Sequence, residues 1–201
     1  MVLTASTSLP LGSQAPDFTL PDTVTGKKFS LRDLPGAKGL LLLFICNHCP
    51  YVKLIQTELS AIGRDYMPRG IAMAAISAND VSTHPADGPE EMKKEAERHA
   101  YPFPYLYDES QEVAKAYQAA CTPDIFLFDA DRKLVYHRQL DHARPNKQIP
   151  VTGADLRRAL DALLAGEQIS EGQTASVGCN IKWKKGNEPD YFKKSRIATK
   201  S

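Results

Sequence analysis

The tetrapeptide Cys46-Asn47-His48-Cys49 follows without a break on the apolar run Gly39-Leu40-Leu41-Leu42-Leu43-Phe44-Ile45, and this junction constrains the chain more than any other feature. A short unbroken apolar run reads as a strand buried on both faces. Pro50 suits a first helical turn, where its missing N–H costs nothing, and Val52, Ile55, Leu59 and Ile62 recur at helical spacing behind it. Two cysteines are thus carried from the end of a strand onto the start of a helix, the arrangement dithiol redox chemistry requires. Unpaired N–H groups and the positive end of the helix dipole favour a thiolate there. Cys46, the outer thiol, is the expected nucleophile. Cys49, one turn further in, is the expected partner that resolves a mixed disulfide on Cys46.

His48 lies between them. As an imidazolium it would stabilise the thiolate, and with it the reduced form, raising the reduction potential. The plainer alternative is a solvated histidine at a helix start. The cysteine pair has its own alternative, half of a zinc site, kept open by Cys121, Cys179 and four further histidines. No second closely spaced Cys or His pair accompanies it, so neither a resident metal nor a cofactor is expected.

A chain of 201 residues with 42% hydrophobic content can bury one sizeable core, but two full domains are not expected. Lysine plus arginine number 25 against 24 acidic residues, so no overall field selects nucleic acid or an anionic membrane. The first ten residues lack the basic start and long apolar stretch of a signal peptide. The run from Leu40 to Cys46 is far too short to span a bilayer. These features point to a cytoplasmic protein, in which any disulfide is transient and catalytic; a processed precursor would reverse that argument. Oligomeric state leaves no mark on the sequence.

Ile71-Ala72-Met73-Ala74-Ala75-Ile76 completes a strand-helix-strand unit with parallel pairing. Ahead of it, Phe18–Leu20 and Lys28–Leu31 flank turn residues Asp22–Gly26 as a hairpin. Between Asn79 and Ala100 lies a polar insertion whose helix opens at Pro89 and carries only a thin stripe of Met92, Ala96 and His99; its charged residues are expected to be solvated. An extended segment at 103–107 and a helix over about 110–120, entered through Asp108 and Gln111, come next. Ile125–Phe128 and Leu134–Tyr136 read as a hairpin, followed by a helix capped by Thr152, with Leu156, Leu160, Leu163 and Leu164 on one face and Gly166 at its end. Past Gly166 regular structure is hard to justify. The remainder holds Cys179, Trp183 and the basic residues Lys182, Lys184, Lys185, Lys193, Lys194 and Arg196. The expected organisation is an N-terminal arm at 1–10, a domain at 11–166, and a mobile or surface-wrapping tail at 167–201.

The order hairpin, strand, CxxC helix, strand, helix, hairpin, helix, with Thr122-Pro123 leading into the late strand pair, resembles the thioredoxin fold. Gly12-Ser13-Gln14-Ala15-Pro16-Asp17-Phe18-Thr19-Leu20 with Phe29-Ser30-Leu31-Arg32-Asp33-Leu34 is similar to the N-terminal extension of the peroxiredoxin and redoxin superfamily, AhpC/TSA. Phe44–Lys53, together with Gly178-Cys179-Asn180-Ile181-Lys182-Trp183-Lys184, looks like a thioredoxin-like CxxC branch of that superfamily. The resemblance runs over roughly 11–166. It implies an α/β thioredoxin fold with an N-terminal β-hairpin extension and an irregular C-terminal tail. It also implies that Pro123 is cis and faces the dithiol, leaving the backbone of Thr122 free to hold an extended substrate; the alternative is a trans proline opening a strand.

Two departures limit what the resemblance carries. Ile45 replaces thioredoxin's tryptophan and Leu40 its buried acid, which puts that protein's proton handling in doubt. Peroxiredoxins place threonine or serine three residues before the peroxidatic cysteine and proline four earlier still; counting back from Cys49 gives Cys46 and Leu42, and from Cys46 gives Leu43 and Gly39. The leading expectation is therefore a thiol-disulfide oxidoreductase cycling Cys46 and Cys49, with protein or small-molecule disulfides and a thiol reductant as partners. An antioxidant thiol peroxidase and a metal-binding or metallochaperone module on Cys46, Cys49 and His48 are the competing functions. Ile181 and Trp183 could anchor the tail and bring Cys179 to Cys121 as a second redox pair; two unrelated cysteines are the alternative.

Overall fold

The computed structural model describes residues 3–7, 9–34, 38–170 and 174–195. The chain opens with β1 (Leu3–Ala5), the hairpin β2 (Thr19–Pro21) and β3 (Lys28–Ser30), then β4 (Gly39–Phe44), α1 (Pro50–Tyr66) and β5 (Ile71–Ser77). Next are α2 (Pro89–Arg98), β6 (Tyr105–Tyr107), α3 (Glu112–Ala116), β7 (Cys121–Thr122), β8 (Asp124–Asp129) and β9 (Leu134–Tyr136). α4 (Ala154–Ala165), β10 (Val177–Asn180) and α5 (Asp190–Ser195) follow. No helix among the described residues is long and apolar enough to cross a membrane.

The apolar run forms the middle strand of a five-stranded sheet, ordered β6-β5-β4-β8-β9. Leu42 pairs with Ala74 of the parallel β5 and with Phe126 of the antiparallel β8. Side chains alternate across a strand, so Leu41 and Leu43 join Val52, Ile55 and Leu59 of α1 and Leu156 and Leu160 of α4. Leu40, Leu42 and Phe44 join Tyr117, Phe126 and Phe128 on the opposite face. All four leucines are fully buried, each contributing on the order of 1.5–3 kcal/mol. This is the α/β thioredoxin fold with a preceding β-hairpin.

The tail departs from expectation. Val177–Asn180 is the central strand of a second sheet, ordered β1-β10-β7, so residues 3–5 of the arm are paired strand as well. Ile181, Trp183 and Phe192 fill the core face opposite α1. Gln111 fastens this segment: its Nε2 donates to the carbonyls of Ala78 (2.6 Å) and Lys182 (2.9 Å), and its Oε1 accepts from Lys184 N and Asn187 Nδ2 (both 2.9 Å). Residues 1, 2 and 8 of the arm, and 171–173 and 196–201 of the tail, including Arg196, lie outside the described residues.

Two helix ends also differ. α3 stops at Ala116 because Tyr117 turns into the cluster of Phe44, Phe126 and Phe128. Gln111 is its N-cap residue, at φ 66°, but its side chain makes no capping hydrogen bond, while Asp108 Oδ2 accepts the Ala114 N–H at 2.8 Å. At α4 the N-cap is Gly153, at φ 63°. The work expected of Thr152 falls to buried Asp141, whose Oδ2 accepts the Thr152 and Gly153 N–H groups, both at 2.8 Å.

Candidate active site

β4 ends at Phe44, and the Ile45 N–H still reaches the Ile76 carbonyl at 3.0 Å. The chain then leaves the sheet as Cys46-Asn47-His48 and enters α1 with Cys49 at its N-cap and Pro50 at N1. Cys46 is only 1% exposed and Cys49 is fully buried, so the expected outer thiol is covered. His48 is the half-buried member of the motif, its side chain 25% exposed.

The Thr122-Pro123 bond is cis. Thr122 addresses both thiols of the motif: its Oγ1 lies 3.4 Å from Cys46 Sγ, and its carbonyl accepts from Cys49 Sγ at 3.2 Å. Its backbone is not free for a substrate, contrary to what the resemblance implies. β10 runs antiparallel beside it, with Cys179 opposite Thr122 and Asn180 opposite Cys121. The two strands approach so closely at Gly178 that a Cβ there would lie 2.0 Å from the Thr122 carbonyl oxygen.

That register decides the fate of the other two cysteines. Alternation places Cys179 with Thr122 on the side of the dithiol and Cys121 on the other. Cys179 Sγ is 2.7 Å from Cys49 Sγ. Cys121, fully buried, instead points its thiol at the Pro123 carbonyl, 3.5 Å away. The Cys121-Cys179 pairing weighed against two unrelated cysteines is not formed, and Cys179 contacts Cys49 instead.

Three sulfurs now share one buried site, with Cys49 in the middle. Thiol donors from Cys179 and then Cys46 hold the Cys49 thiol down to about 2. The bond to Cys49 pushes the Cys46 thiol well up, helped by burial and by the charge of Asp87. The Cys179 thiol is likewise raised, chiefly by its bond to Cys49 and then by burial. The direction of these shifts favours a thiolate on Cys49 over one on Cys46. Thr122 serves the other tautomer, offering a hydroxyl donor to a Cys46 thiolate and a carbonyl acceptor to a Cys49 thiol. A proton can pass from Cys46 to Cys49 within the pair.

The residue that sequence reasoning missed is Asp87. It is fully buried and accepts from Asn47 N (2.8 Å), His48 N (3.1 Å) and Asn79 Nδ2 (2.8 Å), and its Oδ2 lies 2.5 Å from His48 Nδ1. Burial alone would raise its carboxyl, but the bonds from His48 and Asn79 outweigh that and hold it below the ordinary value. His48 Nδ1 is 3.8 Å from Cys46 Sγ, and its ring stacks on His84 with centroids 4.9 Å apart. Pro85 and Pro89, which restrict the backbone on either side of Asp87, were the available signal. Cys46, His48 and Asp87 bring one metal-ligand atom each to within 4.8 Å of one another, though the histidine and carboxylate atoms already satisfy each other.

Surface hollows lie beside this centre and away from it. Tyr51, Ile55, Pro123, Arg144 and Val177 border a small one next to the cis proline. A larger one, about 420 Å³ and lined by Tyr136, His142 and Asp155, contains no thiol.

The chain is similar over nearly its whole length to two solved proteins. An uncharacterized conserved protein from Geobacillus kaustophilus is 54% identical, with a TM-score of 0.90 over 92% of this chain and 97% of that one. A hypothetical protein from Sinorhizobium meliloti 1021 is 49% identical, with a TM-score of 0.89 over 91% of this chain and 100% of that one. Thiol-disulfide oxidoreductase ResA of Geobacillus thermodenitrificans (strain NG80-2) is 31% identical over 134 residues, 65% of this chain and 70% of the relative. Residues 11–137, more than half of the sequence, match the AhpC/TSA family model, and the chain belongs to the AhpC/TSA family.

Proposed function

We propose that this protein is a thiol-disulfide oxidoreductase whose working couple is Cys46 and Cys49. The observation that carries this reading is the double contact of Thr122, hydroxyl to Cys46 and carbonyl to Cys49, which supports moving one proton between the two sulfurs. The similarity to relatives named thiol-disulfide oxidoreductase supports it too. Once its proton passes to Cys49, the Cys46 thiolate attacks a disulfide of a protein or small molecule. The substrate S–S bond breaks, one half leaves as a thiolate, and the other stays on Cys46. Cys49 then attacks Cys46 Sγ and releases the second half, leaving a Cys46-Cys49 disulfide that a thiol reductant reopens. The half-buried His48, held by Asp87, is the part of the motif that an incoming disulfide meets first. A cytoplasmic location belongs to the same proposal, since a reducing compartment keeps a catalytic disulfide transient; cell fractionation tests it.

Trapping tests the assignment of roles. Cys49→Ser should accumulate mixed disulfides through Cys46, whereas Cys46→Ser should trap few, and neither variant should turn over a small disulfide with dithiothreitol. Equal trapping by both would overturn the roles. Rapid peroxide consumption by the intact protein, with no disulfide turnover, would make it a peroxidase instead.

A further inference from the structure

We infer that Cys179 is a third member of the redox centre and exchanges with the Cys46-Cys49 disulfide, moving the bond to Cys49-Cys179. The inference deepens the proposed function and rests on it. In the exchange, the Cys179 thiolate attacks Cys49 Sγ, the Cys49-Cys179 bond forms, and the Cys46-Cys49 bond breaks with its electron pair on Cys46. The proton given up by Cys179 is taken up by Cys46. Nothing outside the chain is oxidised or reduced.

The geometry is specific to Cys179. Its Sγ is 2.7 Å from Cys49 Sγ, against a bonded separation of about 2.0 Å. The segment that delivers it is held on both sides, by β1 with Leu3 opposite Cys179 and by β7 with Thr122 opposite Cys179. Gly178 permits the close approach to the Thr122 backbone that this position requires. Cys121, one strand away and just as deeply buried, points elsewhere, so burial of a cysteine in this region does not by itself produce the contact. The consequence is a division of labour. A Cys49-Cys179 bond stores the oxidising equivalent between two buried sulfurs and returns a free thiol at Cys46 beside the half-buried His48. An oxidised chain could then attack a second disulfide, which a two-cysteine centre in its disulfide form cannot do.

The full chain is oxidised with stoichiometric diamide, quenched in acid, alkylated and digested with trypsin. A Cys46-Cys49 bridge stays within one peptide, 39–53, whereas a Cys49-Cys179 bridge joins 39–53 to 159–182; Cys121 lies apart in 116–132. Wild-type protein should yield both products, the bridge within 39–53 and the joined pair with Cys46 alkylated. Monomeric Cys46→Ser, or Cys46→Ala should the serine variant misfold, should yield the joined pair as its main oxidised product, and Cys179→Ser should lose it. If folded Cys46 variants give no joined pair while wild type forms the bridge within 39–53, the exchange is refuted and the Cys46-Cys49 oxidoreductase stands. If wild type forms no bridge within 39–53 and the joined pair appears alone, the proposed couple falls and with it the exchange.

Discussion

Asp87→Asn is the sharpest test of how the site is held, because the change is nearly isosteric and its cost follows from the hydrogen-bond pattern. Oδ1 of Asp87 accepts the Asn47 and His48 backbone N–H groups, and an asparagine oxygen can keep both. Oδ2 faces His48 Nδ1 and Asn79 Nδ2. An amide nitrogen there would point a donor at the Asn79 donor. Asn79 cannot turn its oxygen inward without abandoning the Lys182 N–H, which it accepts at 2.8 Å. One charge-assisted bond is therefore lost and the one to His48 becomes neutral. At about 1.5–3 kcal/mol for a bond to a charged group, offset in part because a charge is no longer buried, the expected loss is roughly 2–4 kcal/mol. Urea unfolding of the reduced protein at pH 7 should show a lower midpoint with an unchanged slope. The pH dependence adds a second reading. The folded carboxyl lies below its ordinary 3.8, so its stabilisation is complete above the unfolded value and is lost as pH falls through the folded one. The variant has no such contribution to lose, so the gap between the two proteins should narrow as pH falls below about 4. Removing the charge that raises Cys46 should also move the Cys46 thiolate absorbance to lower pH. A stability difference under about 0.5 kcal/mol at pH 7, or a full-sized gap persisting at acid pH, would refute the reasoning.

Gly178→Ala should force β10 away from β7, because its methyl would meet the Thr122 carbonyl at 2.0 Å. A loss of about 1–3 kcal/mol in urea unfolding is expected, with the tryptic link between 39–53 and 159–182 lost and the bridge within 39–53 retained. Gln111→Ala should unpair the Lys184 N–H and remove one of the two donors to the Lys182 carbonyl, which keeps the Asp80 N–H, at a cost of roughly 1–3 kcal/mol. Limited trypsin digestion should then cut after Lys182 and Lys184 faster than in the parent protein, and unchanged cleavage there would show that Gln111 does not fasten the tail.

The frame of the fold was legible because its signals are local and periodic. The run from Leu40 to Phe44, Pro50 at N1 and the spacing of Val52, Ile55, Leu59 and Ile62 each specify their element without help from distant residues. What escaped was tertiary. Val177–Asn180 has no alternating pattern of its own and becomes a strand only because β1 and β7 are there to pair with it. Asp87 read as one more solvated acid in a charged insertion, and nothing nearby in sequence shows that Asn47, His48 and Asn79 converge on it. Helix position argues for a thiolate on the first cysteine of the motif, and nothing local shows that Cys179, 130 residues beyond Cys49, also contacts the pair.

Closure of the Thr122 edge bears on what the protein can bind. An extended substrate that paired with the backbone beside Pro123 would have to displace β10, and with it the contacts of Cys179 to Cys49 and of Gln111 and Asn79 to the segment beyond. Displacing Cys179 removes the leading donor that lowers the Cys49 thiol, which favours the proton on Cys49 and the thiolate on Cys46. Binding at that edge and activation of the attacking thiol are thus coupled in the same direction. A ligand that stays in the hollow bordered by Tyr51, Pro123 and Arg144 leaves β10 and the Cys49-Cys179 contact in place. By linkage, a substrate that pairs at Thr122 binds more weakly by the free energy of undocking β10, and small disulfides, which need no strand pairing, avoid that cost.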